Sequence, residues 1–360
     1  MLAAFTSRQR VFLGLIAVTS VASGVMHYAK VPGLVVFPVV TVALAGLAWL
    51  VALGTEALGE HTGPGVTGVL QSTLGNLPEL FVVVFALQAG EVVIAQTSIL
   101  GSLFANALLV LGLVIIAGAR ASDDGIMRFK RRLPNDTATL LLLAVFIIVL
   151  LGLSVSSGDK ASRHSLAVSA AGAVVLLVVY GVWLFSYLRE DAREHAASPS
   201  PPAPEHAAGM TLRQSLVLLG IAGAGSAFIS DWFVAALTPA MDALHLSRAF
   251  AGLVIVAIAG NAVENVAGIT LARKGQMDDA ISIVKNSVAQ IAVFLFPLLV
   301  LVSLLFASHL TFVLAPVYIG ALLVTALAVW QVSGDGEATI PEGAALIGIY
   351  VMLAFLTLYE

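Results

Sequence analysis

The 360-residue chain contains no cysteine. It therefore forms no disulfide and offers no thiolate ligand, so a bound metal ion must be held by oxygen or imidazole groups. The seven histidines are scattered through the sequence without the spacing of a metal site. If the chain handles a metal ion, these absences favour a hard cation that is held by oxygen atoms.

Charged residues are also scarce, because they make up 11% of the chain while hydrophobic residues make up 59%. Soluble proteins have about 25% charged and about 45–50% apolar residues. The composition therefore predicts an all-α polytopic membrane protein surrounded by membrane lipids. No basic patch of the kind that binds nucleic acid is present, and the net charge of −4 carries little information.

Long apolar runs divide the chain into about eleven transmembrane helices, at about 20 residues per span. They lie near residues 11–26, 34–53, 66–87, 92–119, 138–156, 166–188, 212–237, 249–272, 280–307, 310–332 and 344–358.

The distribution of lysine and arginine orients these spans. With the N-terminus inside, the inner loops hold twelve basic residues and the outer loops four, while Lys285 lies within a span. The positive-inside rule thus predicts a cytoplasmic N-terminus and an outside C-terminus. Arg8 and Arg10 precede the first apolar run without a cleavage site after it. We therefore expect a retained helix, in the cytoplasmic membrane of a prokaryote.

One stretch of the sequence occurs twice. Residues 75–112 and 260–297 match at seven of 38 positions when the numbering is shifted by 185, without a gap. The matches include the whole pattern Gly-Asn-x-x-Glu and a serine on the following helix. We interpret this as a duplicated ion site, because a carboxylate inside a membrane span indicates function.

The predicted orientation makes the two Gly-Asn-x-x-Glu helices cross the membrane in opposite senses. Five spans per repeat force this inversion, and inverted repeats with a polar site between them are typical of secondary transporters. The predicted organisation is an accessory helix, a first five-helix repeat, a cytoplasmic linker rich in proline and alanine, and a second five-helix repeat. In this order, the four parts comprise residues 1–30, 31–188, 189–210 and 211–360.

Polar residues at helical spacing define the predicted site. Asn76 and Glu79 are three residues apart, as are Asn261 and Glu264, so on a continuous helix each amide would stack beside its carboxylate. The helix that follows each pair adds further oxygen atoms. The added residues are Ser102, Asn106, Ser287 and Gln290.

This set of oxygen atoms fits a Ca²⁺ ion, which takes six to eight oxygen ligands. Two buried carboxylates repel each other, which favours protonation of at least one when no cation is bound. Protons and a cation would then compete for the same oxygens, and with alternating access this competition gives antiport. No cofactor is expected, and the sequence sets no oligomeric state.

Other interpretations of the same residues are weaker. Glu79 and Glu264 could act only as polar contacts between helices, but two symmetry-related carboxylates with matching asparagines exceed what packing requires. An intramembrane protease would need a metal motif, a nucleophile motif or paired aspartates within its spans, and none is present. A channel would need a continuous polar pathway, whereas the polar residues cluster at the two motifs. We therefore expect a transporter and not an enzyme.

The motifs GNLPEL, LGSLFANALLVLG, GNAVEN and AQIAVFLFP resemble the calcium/proton exchanger family of the cation/calcium antiporter superfamily. The resemblance covers nearly the whole chain and implies eleven spans in a five-plus-five arrangement. It also implies that Glu79 and Glu264 are the central cation ligands, with the six polar residues around them, and that Ca²⁺ and H⁺ are the transported ions.

The sequence departs from the family pattern at Asn265, Asn286 and Lys285, and Pro78 is more typical of sodium/calcium exchangers. A Na⁺/H⁺ or K⁺/H⁺ antiporter and a Na⁺/Ca²⁺ exchanger therefore remain the alternatives. Lys285 lies about eight residues into its span. We expect its side chain to snorkel toward the cytoplasm, and the alternative is an internal cation that occupies part of the site.

Overall fold

The computed structural model describes residues 5–62, 74–130, 132–197 and 210–360. Within these ranges, nothing is described of the side chains at 59, 60, 62, 132–135, 190–197, 263 and 264. The chain is almost entirely helical. Its elements are α1 (Ser7–Tyr28), α2 (Gly33–Thr62), α3 (Leu77–Gln88), α4 (Val92–Ala121), β1 (Ile126–Arg128), α5 (Arg132–Ser156), α6 (Ser165–Ala197), α7 (Leu212–Leu244), α8 (Arg248–Gly260), α9 (Ala262–Arg273), α10 (Met277–Ser303), α11 (Pro316–Ser333), β2 (Glu337–Thr339) and α12 (Ile340–Thr357).

The helices confirm a polytopic membrane protein, although the count of spans differs from eleven. Nine helices of the described ranges are long and apolar enough to cross a membrane, and the bent pair α8 and α9 makes a tenth. The remaining predicted span, 66–87, falls partly outside the described residues, and its described part is the short apolar helix α3.

Capping residues explain where two of the long helices begin. Thr6 precedes α1 and Thr211 precedes α7, and each forms a capping box with a glutamine three residues later. Such a box satisfies backbone N–H groups that a helix start leaves without partners. Helix α6 continues to Ala197, past the predicted span end at residue 188, because alanine, arginine and glutamate favour helix and the first proline is Pro199. The rest of the predicted linker, 198–209, lies outside the described residues.

The contacts divide the chain into two compact units. Unit 1 comprises residues 1–85 and 181–245, and unit 2 comprises residues 86–180 and 246–360. Each unit therefore contains helices from both predicted repeats.

Unit 1 is built on the packing of α2 against α7, with α1 beside them. Gly33 allows a close approach here, since a Cβ atom at this position would lie 2.6 Å from the Pro239 ring. The Trp232 ring stacks on His27 with centroids 5.8 Å apart and meets Tyr28 edge-on. This aromatic cluster holds the end of α1 against α7.

Unit 2 contains α4 and α10, the most buried of the described spans. Helix α4 packs against α8, α9 and α12, and α10 packs against α5 and α9. Helices α4 and α12 approach closely at a pair of glycines, because a Cβ atom at Gly112 would lie 2.5 Å from the Gly343 carbonyl oxygen. Most of the predicted polar site residues lie in this unit.

Two short strands accompany the helices and were not predicted. Strands β1 and β2 pair antiparallel with Met127 opposite Ala338, and three residues are too few to give a recognisable alternating pattern. Arg128 lies 3.2 Å from Glu337 and 2.7 Å from Asp124. Its hydrogen bond to Asp124 lowers the pKa of that carboxyl.

The backbone repeats its special features with the same offset of 185 as the sequence. Asn76 and Asn261 each interrupt a helix. Gly90 and Gly275 both adopt positive φ, at 77° and 80°, between the two helices of each motif. A π-helical segment at Ala105–Val110 is matched by one at Ile291–Leu295. The duplicated sequence thus folds into duplicated local structure.

Candidate functional site

The asparagines of the two motifs lie at breaks between helices. Asn261 follows Gly260, the last residue of α8, and α9 begins at Ala262 after a bend of the chain, with the two helices at 56° to each other. The helix is therefore not continuous through Asn261, and the predicted stacking of Asn261 beside Glu264 stays a prediction, since the Glu264 side chain lies outside the described residues. The Asn261 side-chain amide and its backbone N–H both donate to the Ala257 carbonyl oxygen, at 2.9 and 3.2 Å, so Asn261 closes the last turn of α8.

Asn261 is the centre of a buried hydrogen-bond network in unit 2. Its Nδ2 donates to Ser102 Oγ at 2.9 Å, and its Oδ1 accepts from Asn106 Nδ2 at 2.9 Å. Asn106 Nδ2 also donates to Ser287 Oγ at 3.0 Å. All four residues are at least 95% buried. The structure thus brings together four of the eight predicted site residues, two from each repeat, and we call them the polar network.

Two of these side chains lie in or just before a π-helical segment. Asn106 lies within the segment Ala105–Val110 of α4, and Ser287 precedes the segment Ile291–Leu295 of α10. Such segments occur frequently at functional sites, because they shift the register of the side chains that follow. Gln290 is also buried, three residues after Ser287 on the same helix.

Asn76 and Glu79 lie in unit 1 and are buried, with 2% and 6% exposure. Glu79 belongs to the first turn of α3, where the positive end of the helix dipole favours a carboxylate. The α3 backbone is anchored there, since Leu80 N donates to Asn76 O at 2.9 Å. The Glu79 carboxylate is therefore held at a helix start that suits a negative charge.

The second carboxylate, Glu264, falls in the first turn of α9, but its side chain lies outside the described residues. The convergence of Glu79 and Glu264 on one cation thus stays a prediction.

Lys285 does not snorkel to water as expected. Its side chain is fully buried, and Nζ donates to Ser333 Oγ at 2.9 Å and to the Val329 carbonyl oxygen at 3.4 Å. Both acceptors lie in the last turn of α11, the end of a helix where a positive charge is favourable. The ammonium group is bound there and is not a member of the polar network.

Sequence reasoning also missed two features near the motifs. Ser230 of α7 is fully buried and donates to the Pro78 carbonyl oxygen at 3.4 Å; its spacing of four from Ser226 is a signal that could have indicated a polar helix face. Arg248 pairs with Glu91 at 2.9 Å. Both residues fall in loops that were predicted to lie outside, so the pairing agrees with the predicted orientation.

The sequence matches the family described as sodium/calcium exchanger protein over residues 32–188 and 214–359. Among relatives, the Ca²⁺/H⁺ antiporter ChaA of Bacillus subtilis is 30% identical, with 96% of this chain and 98% of that protein aligned. A Ca²⁺/H⁺ antiporter of Synechocystis is 28% identical over 97% of both chains. The vacuolar calcium ion transporter of Schizosaccharomyces pombe is 31% identical over 89% of this chain and 78% of that protein.

Solved structures with the same fold were also found. The structure of native YfkE has a TM-score of 0.80 and 27% identity, and it covers 97% of this chain and 100% of its own. The H⁺/Ca²⁺ exchanger CAX has a TM-score of 0.74 at 14% identity, with 98% and 93% covered. Because the identity to CAX is only 14%, this similarity shows the fold alone.

Proposed function

We propose that this chain, which belongs to the Ca²⁺/H⁺ antiporter family within the sodium/calcium exchanger superfamily, exchanges Ca²⁺ for H⁺. The exchange proceeds by alternating access at one buried site. The protein is a transporter and not an enzyme. The exchange is the activity named for its relatives of nearly full length.

The observation that carries the proposal is the polar network. It joins a serine and an asparagine of the first repeat to an asparagine and a serine of the second, in the buried interior of unit 2. Buried hydroxyl and amide oxygens of this kind are ligands or supports for a hard cation. A merely structural contact between helices would not require both repeats to contribute the same residue types.

Glu79 and Glu264 supply the negative charge in this proposal. Each belongs to the first turn of a helix that begins at a motif asparagine, an arrangement found in transporters whose spans are interrupted at the substrate. Asn76 and Gln290 add amide oxygens beside the carboxylates. The proposed cation site consists of Glu79, Glu264, Asn76, Asn261, Ser102, Asn106, Ser287 and Gln290.

The proposed chemistry is competition for these carboxylates. When both are ionised they attract a divalent cation, and when the cation leaves, desolvation and mutual repulsion favour protonation. Two carboxylates can carry two protons back across the membrane, so one site serves both transported species in turn.

The proposed topology has the N-terminus in the cytoplasm, an accessory helix in residues 1–30, and inverted repeats in residues 31–188 and 211–360. Pairing of β1 with β2 supports it, because both strands fall in loops that the positive-inside rule puts in the cytoplasm. We propose the cytoplasmic membrane of a prokaryote as the location of this integral membrane protein.

Everted membrane vesicles test the proposed function. After acidification of the lumen, addition of Ca²⁺ should dissipate the pH gradient, and Na⁺, K⁺ and Mg²⁺ should do so less at equal concentration. Glu79→Gln and Glu264→Gln should each abolish the response, whereas Asp159→Asn, in an exposed loop, should not alter it. A near-normal Ca²⁺ response from either glutamine variant would refute a shared carboxylate site.

A further inference from the structure

Lys285 is a buried lysine that the exchange mechanism does not use. Its ammonium group has two hydrogen-bond acceptors, Ser333 Oγ and the Val329 carbonyl oxygen, and both are neutral. Among the described residues no carboxylate lies within ion-pair distance of Nζ. A buried charge without an ionised partner is costly, so its presence indicates a function.

The first repeat indicates that the fold does not need this lysine. Shifting by 185 residues, the positions that correspond to Lys285 and Ser333 are Leu100 and Ile148. Both are buried and apolar. The positions 185 residues before Lys285 and Ser333 therefore hold two buried aliphatic side chains instead of an amine and a hydroxyl.

The lysine lies close to the polar network but faces away from it. It is two residues before Ser287 on α10, which on a helix corresponds to a turn of about 200°. Its ammonium group is bound by the last turn of α11, and Ser287 accepts from Asn106 of α4. Helix geometry puts the positive charge about 12 Å from the network, too far for coordination and near enough for electrostatics.

We propose that Lys285 is positively charged at its buried position and is a specificity-determining residue, because this charge weakens the binding free energy of cations at the proposed site in proportion to their valence. At about 12 Å and an effective dielectric constant of about 20, one unit charge changes the binding of another by about tenfold. The effect on a divalent cation is the square of this, about a hundredfold. The lysine thereby disfavours Ca²⁺ relative to Na⁺ and eases release of the bound ion. This inference rests on the proposed function, because it concerns the same site.

The test measures equilibrium binding of Ca²⁺, and of Na⁺ by competition, to the purified full-length protein at fixed pH. Lys285→Met removes the charge at similar length, and Lys285→Arg keeps it. A double variant, Lys285→Leu with Ser333→Ile, copies the apolar pair of the first repeat and guards against misfolding of the single variant. Thermal unfolding in detergent establishes that each variant is folded.

Removal of the charge should tighten Ca²⁺ binding by about a hundredfold and Na⁺ binding by about tenfold, and Lys285→Arg should stay near the wild type. The proposal would be overturned if folded variants without the charge bound Ca²⁺ with unchanged or weaker affinity. It would also be overturned if the affinities for Ca²⁺ and Na⁺ changed by the same factor, since a packing effect does not depend on valence. Wild-type protein that binds no Ca²⁺ would contradict the proposed function instead, and the Na⁺ shift would still test Lys285.

Discussion

At the scale of single residues, Asn261 has a structural role in addition to the proposed role as a cation ligand. Asn261 makes three hydrogen bonds that join Ala257, Ser102 and Asn106. Ser287 accepts a single bond in the same network, from Asn106. Because a buried polar group left without its partner is costly, the two residues should differ in their contribution to stability.

Asn261→Ala should lower the free energy of unfolding by about 2–3 kcal/mol, whereas Ser287→Ala should lower it by about 1 kcal/mol. Thermal unfolding of the detergent-solubilised variants measures the difference. Both substitutions should also weaken the apparent cation affinity in vesicles, with the larger effect for Asn261. Equal stability of the two variants would contradict the central position of Asn261 in the network.

At the scale of whole elements, the buried helix α4 depends on close contacts at glycines. At Gly101 an added Cβ atom would overlap the backbone of Leu253 in α8, so those two helices pack backbone to backbone. Gly112 of α4 meets Gly343 of α12 in the same way. Small residues at such crossings are typical of membrane helices, because they permit close packing.

Gly112→Ala should therefore destabilise the protein by about 1–3 kcal/mol, since α4 and α12 must move apart to admit the methyl group. Gly348→Ala is the matched control on α12, because nothing lies within 4 Å of its added Cβ atom. We expect the control to keep or slightly raise the midpoint of thermal unfolding in detergent. If Gly112→Ala and Gly348→Ala unfolded at the same temperature, α4 and α12 would not pack closely at Gly112.

At the scale of the whole molecule, the orientation follows from the loops. Asp159 follows α5 on the predicted outer side, and Asp335 precedes β2 on the predicted inner side, and both are exposed. The chain contains no cysteine, so a single introduced thiol reports on one position without background.

Asp159→Cys should react with a membrane-impermeant maleimide in intact cells, and Asp335→Cys should react only in everted vesicles. The physical reason is the excess of basic residues in the inner loops. Mass spectrometry of the purified protein gives the labelled fraction. Labelling of both positions from the same side would contradict the odd number of spans between them.

The proposed shared site also predicts how transport depends on pH. As the pH falls, protons occupy the carboxylates, so the apparent Ca²⁺ affinity should weaken while the maximal rate at saturating Ca²⁺ is kept. Moving one unit charge across 100 mV is worth about 2.3 kcal/mol, so the voltage must be clamped. Proteoliposomes titrated over the active pH range provide the measurement. An affinity that does not change with pH would mean that protons bind elsewhere.

The fold class, the family and the duplication could be predicted from the sequence. Hydrophobic runs, loop charges and two copies of Gly-Asn-x-x-Glu are local patterns, and the bilayer turns them directly into spans and orientation. The sequence also identified Ser102, Asn106, Asn261 and Ser287, because polar residues in apolar helices are conspicuous.

The contacts that these residues make could not be predicted from the sequence. The interruption of the helix at Asn261, the π-helical segments and the partners of Lys285 depend on which helices lie beside each other, and residues far apart in the chain supply those contacts. A lysine whose side chain is buried and a lysine whose side chain snorkels to water cannot be distinguished in the sequence. They differ only in whether a neighbouring helix, here the end of α11, offers its oxygen atoms.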